Sequence, residues 1–431
     1  MIVVESNKER ENFLNRWNTE PSIIIPIWSD LEKHPMNNEL SFLFVVMGKT
    51  NFILIYNHID GESQHLDLSN STQPKWVWNK KGLLQMDTNI QNIFDISNYT
   101  FFNQNKLLDF KPEEQSFISH YIRLGIRTDL GKIAPLMKWG EYLKSFVGTL
   151  NLPSPSKTWT DDTMIPLLSD IERYGIRVDG KKFIDRYPQA TKHLKGDILY
   201  TQYNPYTITS RPSNRFGGIN FSALNKTDGT REVFIPKENH LFLQMDYDAY
   251  HPRIIGKLIN YDLPKTSVHQ WLANQYGCDY SESKGITFQL LYGGIPEEFD
   301  SIPYYKKVRE YIEVLWEDSS KKGYLSTQTR NIPLSSIEGN NPQKLFNYLL
   351  QALETAQNVL ILWDIFRLLR GYNTKLVLYT YDSFLLDVDK SDTLLINQIR
   401  EVFKKYEREI NRNKAVDFSD FPGDFQSVFF G

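Results

Sequence analysis

Two aspartates stand beside short apolar segments in the second half of the chain. Asp246 follows the run Leu241–Met245, and Asp382 lies at the turn between the runs Lys375–Thr380 and Phe384–Val388. A short apolar run that ends in polar residues is typical of a buried strand, so the pattern predicts strands with a carboxylate at the end. One such aspartate is commonly a turn former or a helix cap. Whether the two aspartates indicate a functional site therefore depends on the segment between them.

That segment is predicted to be a helix, Tyr280–Leu291, with aromatic residues and a lysine on one face. Lys284, Phe288 and Tyr292 are spaced four apart, and such residues are neighbours on a helix. A cation can bind a triphosphate while a ring stacks on a base or sugar, so this face suits a nucleotide. The alternative is a core-facing aromatic stripe with the lysine stem packed along it. Together with two carboxylates that suit Mg²⁺, the helix indicates two-metal nucleotidyl transfer.

In their order along the chain, these residues resemble the motifs of the DNA polymerase I family (family A). Six elements carry the resemblance: Ile171–Asp179, Thr209–Phe221 with Arg231–Phe234, motif A at Asp246–Arg253, motif B at Lys284, Phe288, Tyr292 and Gly293, the pair Asn347 and Gln351, and motif C at Tyr381, Asp382 and Ser383. The chain is identified as a short member of that family, of the kind found in viruses or mobile elements. The resemblance implies a DNA-directed DNA polymerase that extends a primer with dNTPs, in DNA replication or repair.

The resemblance also implies a role for each matching residue. Asp246, Asp382 and Lys284 would be catalytic, and the two aspartates would hold two Mg²⁺ ions, for which Mn²⁺ is a possible substitute. The nucleotide would contact Lys284, Phe288, Tyr292, His251 and Tyr247. Primer-template DNA would contact Arg211, Asn220, Arg231, Asn347 and Gln351, and Lys257 is a further candidate for a phosphate contact.

The sequence departs from the family pattern in its polymerase half. His251 stands where the family has the glutamate that excludes a ribose 2′-hydroxyl, and its bulk favours retained selection for deoxyribose. Tyr280 replaces an arginine that binds the outer phosphates, and Ser383 replaces an accessory acid. The stretch from Asp179 to Tyr200 is too short for the usual long helical hairpin of the thumb. This reduced thumb predicts low processivity, or a processivity or replisome partner protein that holds the duplex.

The first part of the chain has the alternating strand and helix pattern of an α/β domain. The segments Ser22–Trp28, Leu40–Met47 and Asn51–Asn57 are predicted strands, and the segments Ile90–Ile96 and Glu114–Leu124 are predicted helices.

The carboxylates in this part resemble an incomplete proofreading site. Asp30 and Glu32 match the family's first motif, but Leu83 stands where the second motif, which begins at Asn79, requires an aspartate. Asp95 belongs to the next matching segment, and no Tyr-x3-Asp occurs between residues 98 and 153. The resemblance therefore implies a degenerate ribonuclease-H-like 3′–5′ exonuclease domain without proofreading. The alternative is an unrelated α/β domain.

The expected fold is thus multidomain, α/β and α+β, with the exonuclease-like domain followed by a right-hand polymerase. We expect the exonuclease-like domain at 1–115, a helical connector and linker at 116–160, and the polymerase domain at 161–431. Within the latter we expect the reduced thumb at 161–200, the palm at 201–260 and 340–431, and the fingers at 261–339.

Bulk composition sets only broad limits on function. The net charge of −3 gives no overall basic bias, although a local basic groove would suffice for DNA. Cys278 is the only cysteine, which excludes an intrachain disulfide and fits a reducing compartment. Neither a secretory signal nor a membrane span is expected. We therefore expect a cytoplasmic monomer, in the host cytoplasm if the chain is viral.

Two other functions stay open from the sequence. A single-subunit RNA polymerase or primase shares the spacing of motif B, and its motif C is similar to Tyr381–Ser383. A catalytically inactive nucleic-acid-binding scaffold is the second, although the joint presence of Asp246, Asp382 and Lys284 argues against it.

Overall fold

The computed structural model describes residues 1–410 apart from 87–88, 157, 159, 215–218, 222–223, 225–227, 248 and 382, and describes only the backbone of Asp246, Lys404 and 406–410. Up to residue 174 the elements are β1 (Ile2–Val3), α1 (Asn7–Trp17), β2 (Ser22–Trp28), β3 (Leu40–Met47), β4 (Thr50–Ile55), β5 (Lys75–Val77), α2 (Lys80–Leu84), β6 (Ile93–Asp95), α3 (Ile96–Gln104), α4 (Ser116–Arg123), α5 (Leu130–Ile133), α6 (Leu136–Gly148), a π-helical turn (Thr160–Met164) and α7 (Ile165–Tyr174).

The rest of the chain carries short strands first and then longer helices. Its elements are β7 (Ile176–Arg177), α8 (Gly180–Arg186), β8 (Leu194–Lys195), β9 (Ile198–Leu199), β10 (Tyr203–Asn204), β11 (Ser213–Asn214), β12 (His240–Asp246), α9 (Tyr250–Leu258), α10 (Val268–Tyr276), α11 (Tyr280–Gly293), α12 (Pro303–Lys322), β13 (Tyr324–Ser326), β14 (Asn331–Pro333), α13 (Pro342–Leu368), β15 (Lys375–Thr380), β16 (Ser383–Asp389) and α14 (Thr393–Ile410). Within the described residues, none of these helices is long and apolar enough to cross a membrane.

The chain forms two compact units: an N-terminal unit of residues 1–173 and 192–196, and a C-terminal unit of residues 174–191 and 197–431. The N-terminal unit is built on a six-stranded mixed sheet in the order β1-β4-β3-β2-β5-β6. Alternate residues of β2 enter different cores, as the period of two along a strand requires. Ile24 packs with Phe13 and Trp17 of α1 on one face. Ile25 packs with Trp139 of α6 on the other.

One predicted element of this unit is wrong. The segment Ile90–Ile96 was predicted to be helical, but Ile93–Asp95 is strand β6, which pairs in parallel with β5. Helix α3 begins only at Ile96, where the carboxylate of Asp95 accepts a hydrogen bond from the backbone N–H of Asn98 at 2.8 Å. Backbone pairing with a strand distant in sequence therefore outweighed the local pattern.

The C-terminal unit contains a three-stranded antiparallel sheet in the order β12-β16-β15. Helices α9, α13 and α14 pack against one another beside it, and α10 packs on α11. The predicted strand, the predicted hairpin and the predicted helix Tyr280–Leu291 of this region are confirmed, with ends that shift by a few residues. Between Asp179 and Tyr200 the chain holds α8, a 3-10 turn and two-residue strands.

A buried tyrosine fixes the outer strand of this sheet. The hydroxyl of Tyr203 accepts a hydrogen bond from the backbone N–H of Tyr379 at 2.7 Å and donates one to its carbonyl oxygen at 2.9 Å. Tyr203 is 2% exposed, so the removal of its hydroxyl leaves two backbone groups of β15 unpaired and away from water.

We expect Tyr203→Phe to lower the free energy of unfolding by roughly 2–6 kcal/mol, because each of the two unpaired buried groups costs about 1–3 kcal/mol. Urea-induced unfolding measures the change. Tyr372→Phe, at a tyrosine that is 38% exposed, is the matched control and should change little. Equal stability of the two variants would contradict this account of β15.

Candidate functional site

The sequence-predicted metal ligands belong to the end of the sheet in the C-terminal unit. Asp246 is the last residue of β12, and its Cα partner in the antiparallel ladder is Ser383, the first residue of β16. Asp382, which precedes Ser383 in the sequence, lies outside the described residues. Among the described side chains, which include neither aspartate, no group of three or more His, Cys, Asp or Glu could hold a metal ion. The metal site therefore stays a prediction.

The backbone is strained in two connections near this end, after β12 and in the turn before β16. Ala249, which caps α9 three residues after Asp246, has φ +50°, and Tyr381 has φ +60°. Side-chain-bearing residues seldom adopt this left-handed conformation, and it is commonly kept where a functional site requires a particular backbone path.

A cavity of about 450 Å³ lies among the residues that follow β12, helix α11 and the turn before β16. Six of its lining residues are residues that the sequence singled out for a nucleotide or DNA: Arg211, Tyr247, His251, Lys284, Phe288 and Tyr292. The others are Ala249, Tyr250, Pro252, His269, Tyr280, Glu354 and Tyr381. The lining thus combines a lysine, an arginine, one carboxylate and several aromatic rings.

Helix α11 presents its cation and its rings to this cavity and its other face to the protein interior. Phe288 and Tyr292 are each 37% exposed, and their rings stack with centroids 5.8 Å apart. The lysine Nζ of Lys284 lies 6.0 Å from the centre of the Phe288 ring. The buried face of the helix carries other residues, among them Thr287 and Leu290. The aromatic stripe is therefore not part of the core, and its rings are available for stacking.

His251 lies between α11 and the long helix α13. Its Nδ1 is 2.5 Å from the hydroxyl oxygen of Tyr292, and its Nε2 is 3.4 Å from Oε1 of Glu354. The second oxygen of Glu354 is 3.2 Å from Nη1 of Arg211. The guanidinium of Arg211 lies 4.0 Å from the centre of the Tyr381 ring, a stacked cation–π contact. These five side chains hold the cavity wall together.

The remaining predicted DNA contacts do not line the cavity. Gln351 accepts a hydrogen bond from Thr209 at 3.1 Å, and Asn347 donates one to the carbonyl oxygen of Tyr292 at 3.3 Å. Arg231 donates to the carbonyl oxygen of Leu224, and burial lowers its pKa. Asn220 is exposed.

Sequence reasoning missed Glu354, which connects two of the predicted residues. A signal for it exists, because four polar residues on α13 follow helical spacing: Asn347, Gln351, Glu354 and Asn358. Three of the four make polar contacts with residues around the cavity: Asn347 with Tyr292, Glu354 with His251 and Arg211, and Asn358 with Tyr250 and Tyr381.

In the N-terminal unit, the residues that the sequence matched to a proofreading motif have structural roles. Asp95 accepts hydrogen bonds from the backbone N–H groups of Lys80 and Asn98, both at 2.8 Å. Asn79 caps α2 by accepting from Gly82 at 3.0 Å, and Leu83 is buried in the core.

Asp30 does not contact these residues. It lines a second cavity, which lies in the N-terminal unit. Its carboxylate accepts from the backbone N–H of Glu32 at 3.0 Å. The cavity is about 560 Å³ in volume and is lined by residues of both charges.

A buried ion pair joins the π-helical turn to α2. Nζ of Lys80 lies 3.2 Å from Oδ2 of Asp161, while Oδ1 accepts from the backbone N–H of Asp95 at 2.9 Å. Burial raises the pKa of Asp161 to about 6, against the opposing effect of Lys80. Asp161 thus takes part in packing around Asp95 instead of facing a cavity.

No protein-family model matches the chain, and no curated protein matches it in sequence. Among solved structures, the chain is similar to the POL domain of Pol1 from M. smegmatis in complex with DNA primer-template and dNTP. The two are 12% identical, with a TM-score of 0.66, over 94% of this chain and 96% of that one. An identity this low is informative about the fold alone. The mixed α/β fold of this chain matches that of a DNA polymerase POL domain.

Proposed function

We propose that the chain is a template-directed DNA polymerase of family A that extends a primer 3′-hydroxyl with dNTPs. The observation that carries the proposal is the cavity that brings Lys284, Phe288 and Tyr292 of α11 together with Arg211, Tyr247 and His251. The fold likeness supports it, because the matched structure contains DNA primer-template and dNTP. Primer-template DNA and dNTPs are therefore the ligands we propose for this chain.

The cavity suits a nucleoside triphosphate in charge and in shape. Lys284 is a cation, and cations stabilise the phosphate oxygens of a nucleotide. The exposed rings of Phe288 and Tyr292 offer a stacking surface for the sugar or base. His251, which is almost wholly buried beside Tyr292, fills the space next to that surface, and we propose that it limits the room for a 2′-hydroxyl. Tyr247 completes the wall.

We propose that Asp246 and Asp382 hold two Mg²⁺ ions at the end of β12 and β16. The donor set fits Mg²⁺, which prefers carboxylate oxygens, and the backbone pairing of Asp246 with Ser383 is consistent with a shared site. Ser383 itself accepts a hydrogen bond from Gln244 at 2.7 Å. When bound, such ions lower the pKa of an attacking hydroxyl and neutralise the charge on the phosphates.

The proposed DNA contacts are Arg211, Asn220, Arg231, Asn347 and Gln351. Arg211 and Gln351 would contact the minor-groove edge of the primer-terminal pair, where they check geometry without reading sequence, because both pair types present acceptors there. Arg231 is a candidate phosphate contact. For the N-terminal unit, the polar contacts of Asn79 and Asp95 support the proposal of a degenerate exonuclease domain.

Extension of a labelled primer tests the proposed function directly. With Mg²⁺ and four dNTPs we expect products of template length, and with four ribonucleotides much weaker extension. Equal or better extension with ribonucleotides would favour an RNA polymerase or primase. Tight binding of primer-template DNA without any extension would favour an inactive scaffold.

The same chain should show no 3′–5′ nuclease activity. Leu83 stands in the core where the proofreading motif requires a carboxylate, and Asp95 is 1% exposed, so a two-metal hydrolytic site lacks ligands. A labelled single strand incubated with Mg²⁺ and no dNTP should stay intact over the time in which the primer is fully extended. Release of mononucleotides that survives Asp382→Ala would sink this prediction, because it would place a working nuclease outside the polymerase site.

A further inference from the structure

A continuous set of polar contacts crosses the wall of the nucleotide cavity. It runs from the hydroxyl of Tyr292 on α11, through His251 on α9 and Glu354 on α13, to the guanidinium of Arg211. Arg211 in turn stacks on Tyr381, the residue before Asp382. Glu354 lies in the middle of this set: it contacts His251 and Arg211, and these in turn contact Tyr292 and Tyr381.

The carboxylate of Glu354 is 3% exposed. An ionised carboxylate away from water is costly unless cations or hydrogen-bond donors surround it. Arg211 at 3.2 Å and Nε2 of His251 at 3.4 Å are placed to supply that compensation. The same contacts restrict the side chains of His251 and Arg211. If either moves away, the buried carboxylate of Glu354 loses a partner, which is energetically costly.

The carboxylate of Glu354, 3.4 Å from Nε2, bears on which ring nitrogen of His251 carries a proton. An ionised carboxylate can only accept, so Glu354 favours a proton on Nε2. Nδ1 is then free to accept from the hydroxyl of Tyr292, 2.5 Å away. Within the described residues Nε2 lies 3.4 Å from Glu354 without a formed hydrogen bond, so the ring orientation beside Tyr292 rests on this charge contact and on the hydrogen bond at Nδ1.

We propose that Glu354 is a positioning residue that fixes His251 and Arg211 in the cavity wall and thereby sets the selection of deoxyribonucleotides over ribonucleotides. This proposal rests on the proposed polymerase function. A ring held by Glu354 keeps its bulk beside the sugar, whereas a ring free to rotate opens space for a 2′-hydroxyl. The ion pair with the same carboxylate also keeps the guanidinium of Arg211 in its contact with the ring of Tyr381.

The test is Glu354→Gln, which keeps the volume and removes the charge. A glutamine that turns its carbonyl oxygen to Arg211 presents its NH₂ group to Nε2 of His251, which favours the other tautomer. Histidine-selective ¹⁵N NMR measures the tautomer, with His251→Asn used to identify the signal. We expect the Nδ1 and Nε2 shifts of His251 to change in Glu354→Gln, while the signals of the other seven histidines stay in place.

The second measurement is the ratio of kcat/KM for a deoxyribonucleotide to that for the matching ribonucleotide. We expect Glu354→Gln to lower this ratio at least tenfold while extension with dNTPs persists. Asp364→Asn is the matched control, since it removes a carboxylate of the same helix that pairs with Lys405 at 3.0 Å. It should leave both the ratio and the His251 shifts unchanged.

Each outcome decides a separate part of the proposal. Unchanged His251 shifts in Glu354→Gln would refute the positioning role. Changed shifts with an unchanged sugar ratio would refute the link to selection. If the wild-type chain extends no primer, the proposed function fails and the selection role fails with it, but the NMR shifts still decide whether Glu354 positions His251.

Discussion

Asp246→Asn should reduce primer extension at least about 1000-fold, and Asp382→Asn should do the same. Each change replaces a carboxylate that we propose as a Mg²⁺ ligand by a neutral amide of nearly equal size, so the fold should persist. Loss of a metal held between enzyme and phosphate removes several kcal/mol of stabilisation of the transition state. About 4 kcal/mol corresponds to three powers of ten in rate. Single-nucleotide incorporation under excess enzyme measures the effect.

The matched control is Asp389→Asn, at the far end of the same strand β16, where the carboxylate accepts hydrogen bonds from Ser391. Incorporation by this variant should equal that of the wild type. Chelation of the metal with EDTA should abolish extension by the wild type, and added Mn²⁺ should restore it. Retention of activity in Asp246→Asn would remove the basis for a metal site at this strand end.

Lys284→Ala should lower kcat/KM for dNTPs about 100-fold, equivalent to roughly 3 kcal/mol. Lys284 is an exposed residue of α11 that lines the cavity. We propose that it binds phosphate oxygens there, and a charge-assisted contact of this kind is worth more than a neutral one. The loss of kcat/KM should come mainly from the lost contact with the nucleotide. The affinity for primer-template DNA should therefore change far less. Incorporation rates measured across a range of dNTP concentrations, with DNA binding measured in parallel, separate the two.

Gln289→Ala is the control, because Gln289 is an exposed residue of the same helix that does not line the cavity. Its kcat/KM should stay within a factor of two or so of the wild type, as expected for a surface change that disturbs no partner. Equal loss in both variants would indicate damage to α11 as a whole instead of a lost phosphate contact.

The elements that position the site could be predicted because their signals are local. The apolar run before Asp246 and the spacing of Lys284, Phe288 and Tyr292 fix a strand and a helix with little help from the rest of the chain. Helical spacing also placed the last three side chains on one face, and the structure puts all of them at the cavity.

The contacts across the cavity could not be predicted, because they depend on how distant elements pack. Glu354 contacts His251 only because α13 packs against α9, and no local sequence pattern encodes the packing of these two helices. The same holds for Tyr381 beneath Arg211. The misassigned segment Ile90–Ile96 has a similar cause, since its strand forms by pairing with β5.

Helix α13 touches both sides of the cavity through amides at separate turns. Asn347 holds the carbonyl oxygen of Tyr292, and Asn358 holds that of Tyr381 at 2.6 Å. The helical rise of 1.5 Å per residue sets the axial separation of these two anchors at about 16 Å. Insertions in the flanking loops leave that spacing intact. A single residue added within the helix would rotate one anchor by about 100° against the other and separate the two sides of the cavity.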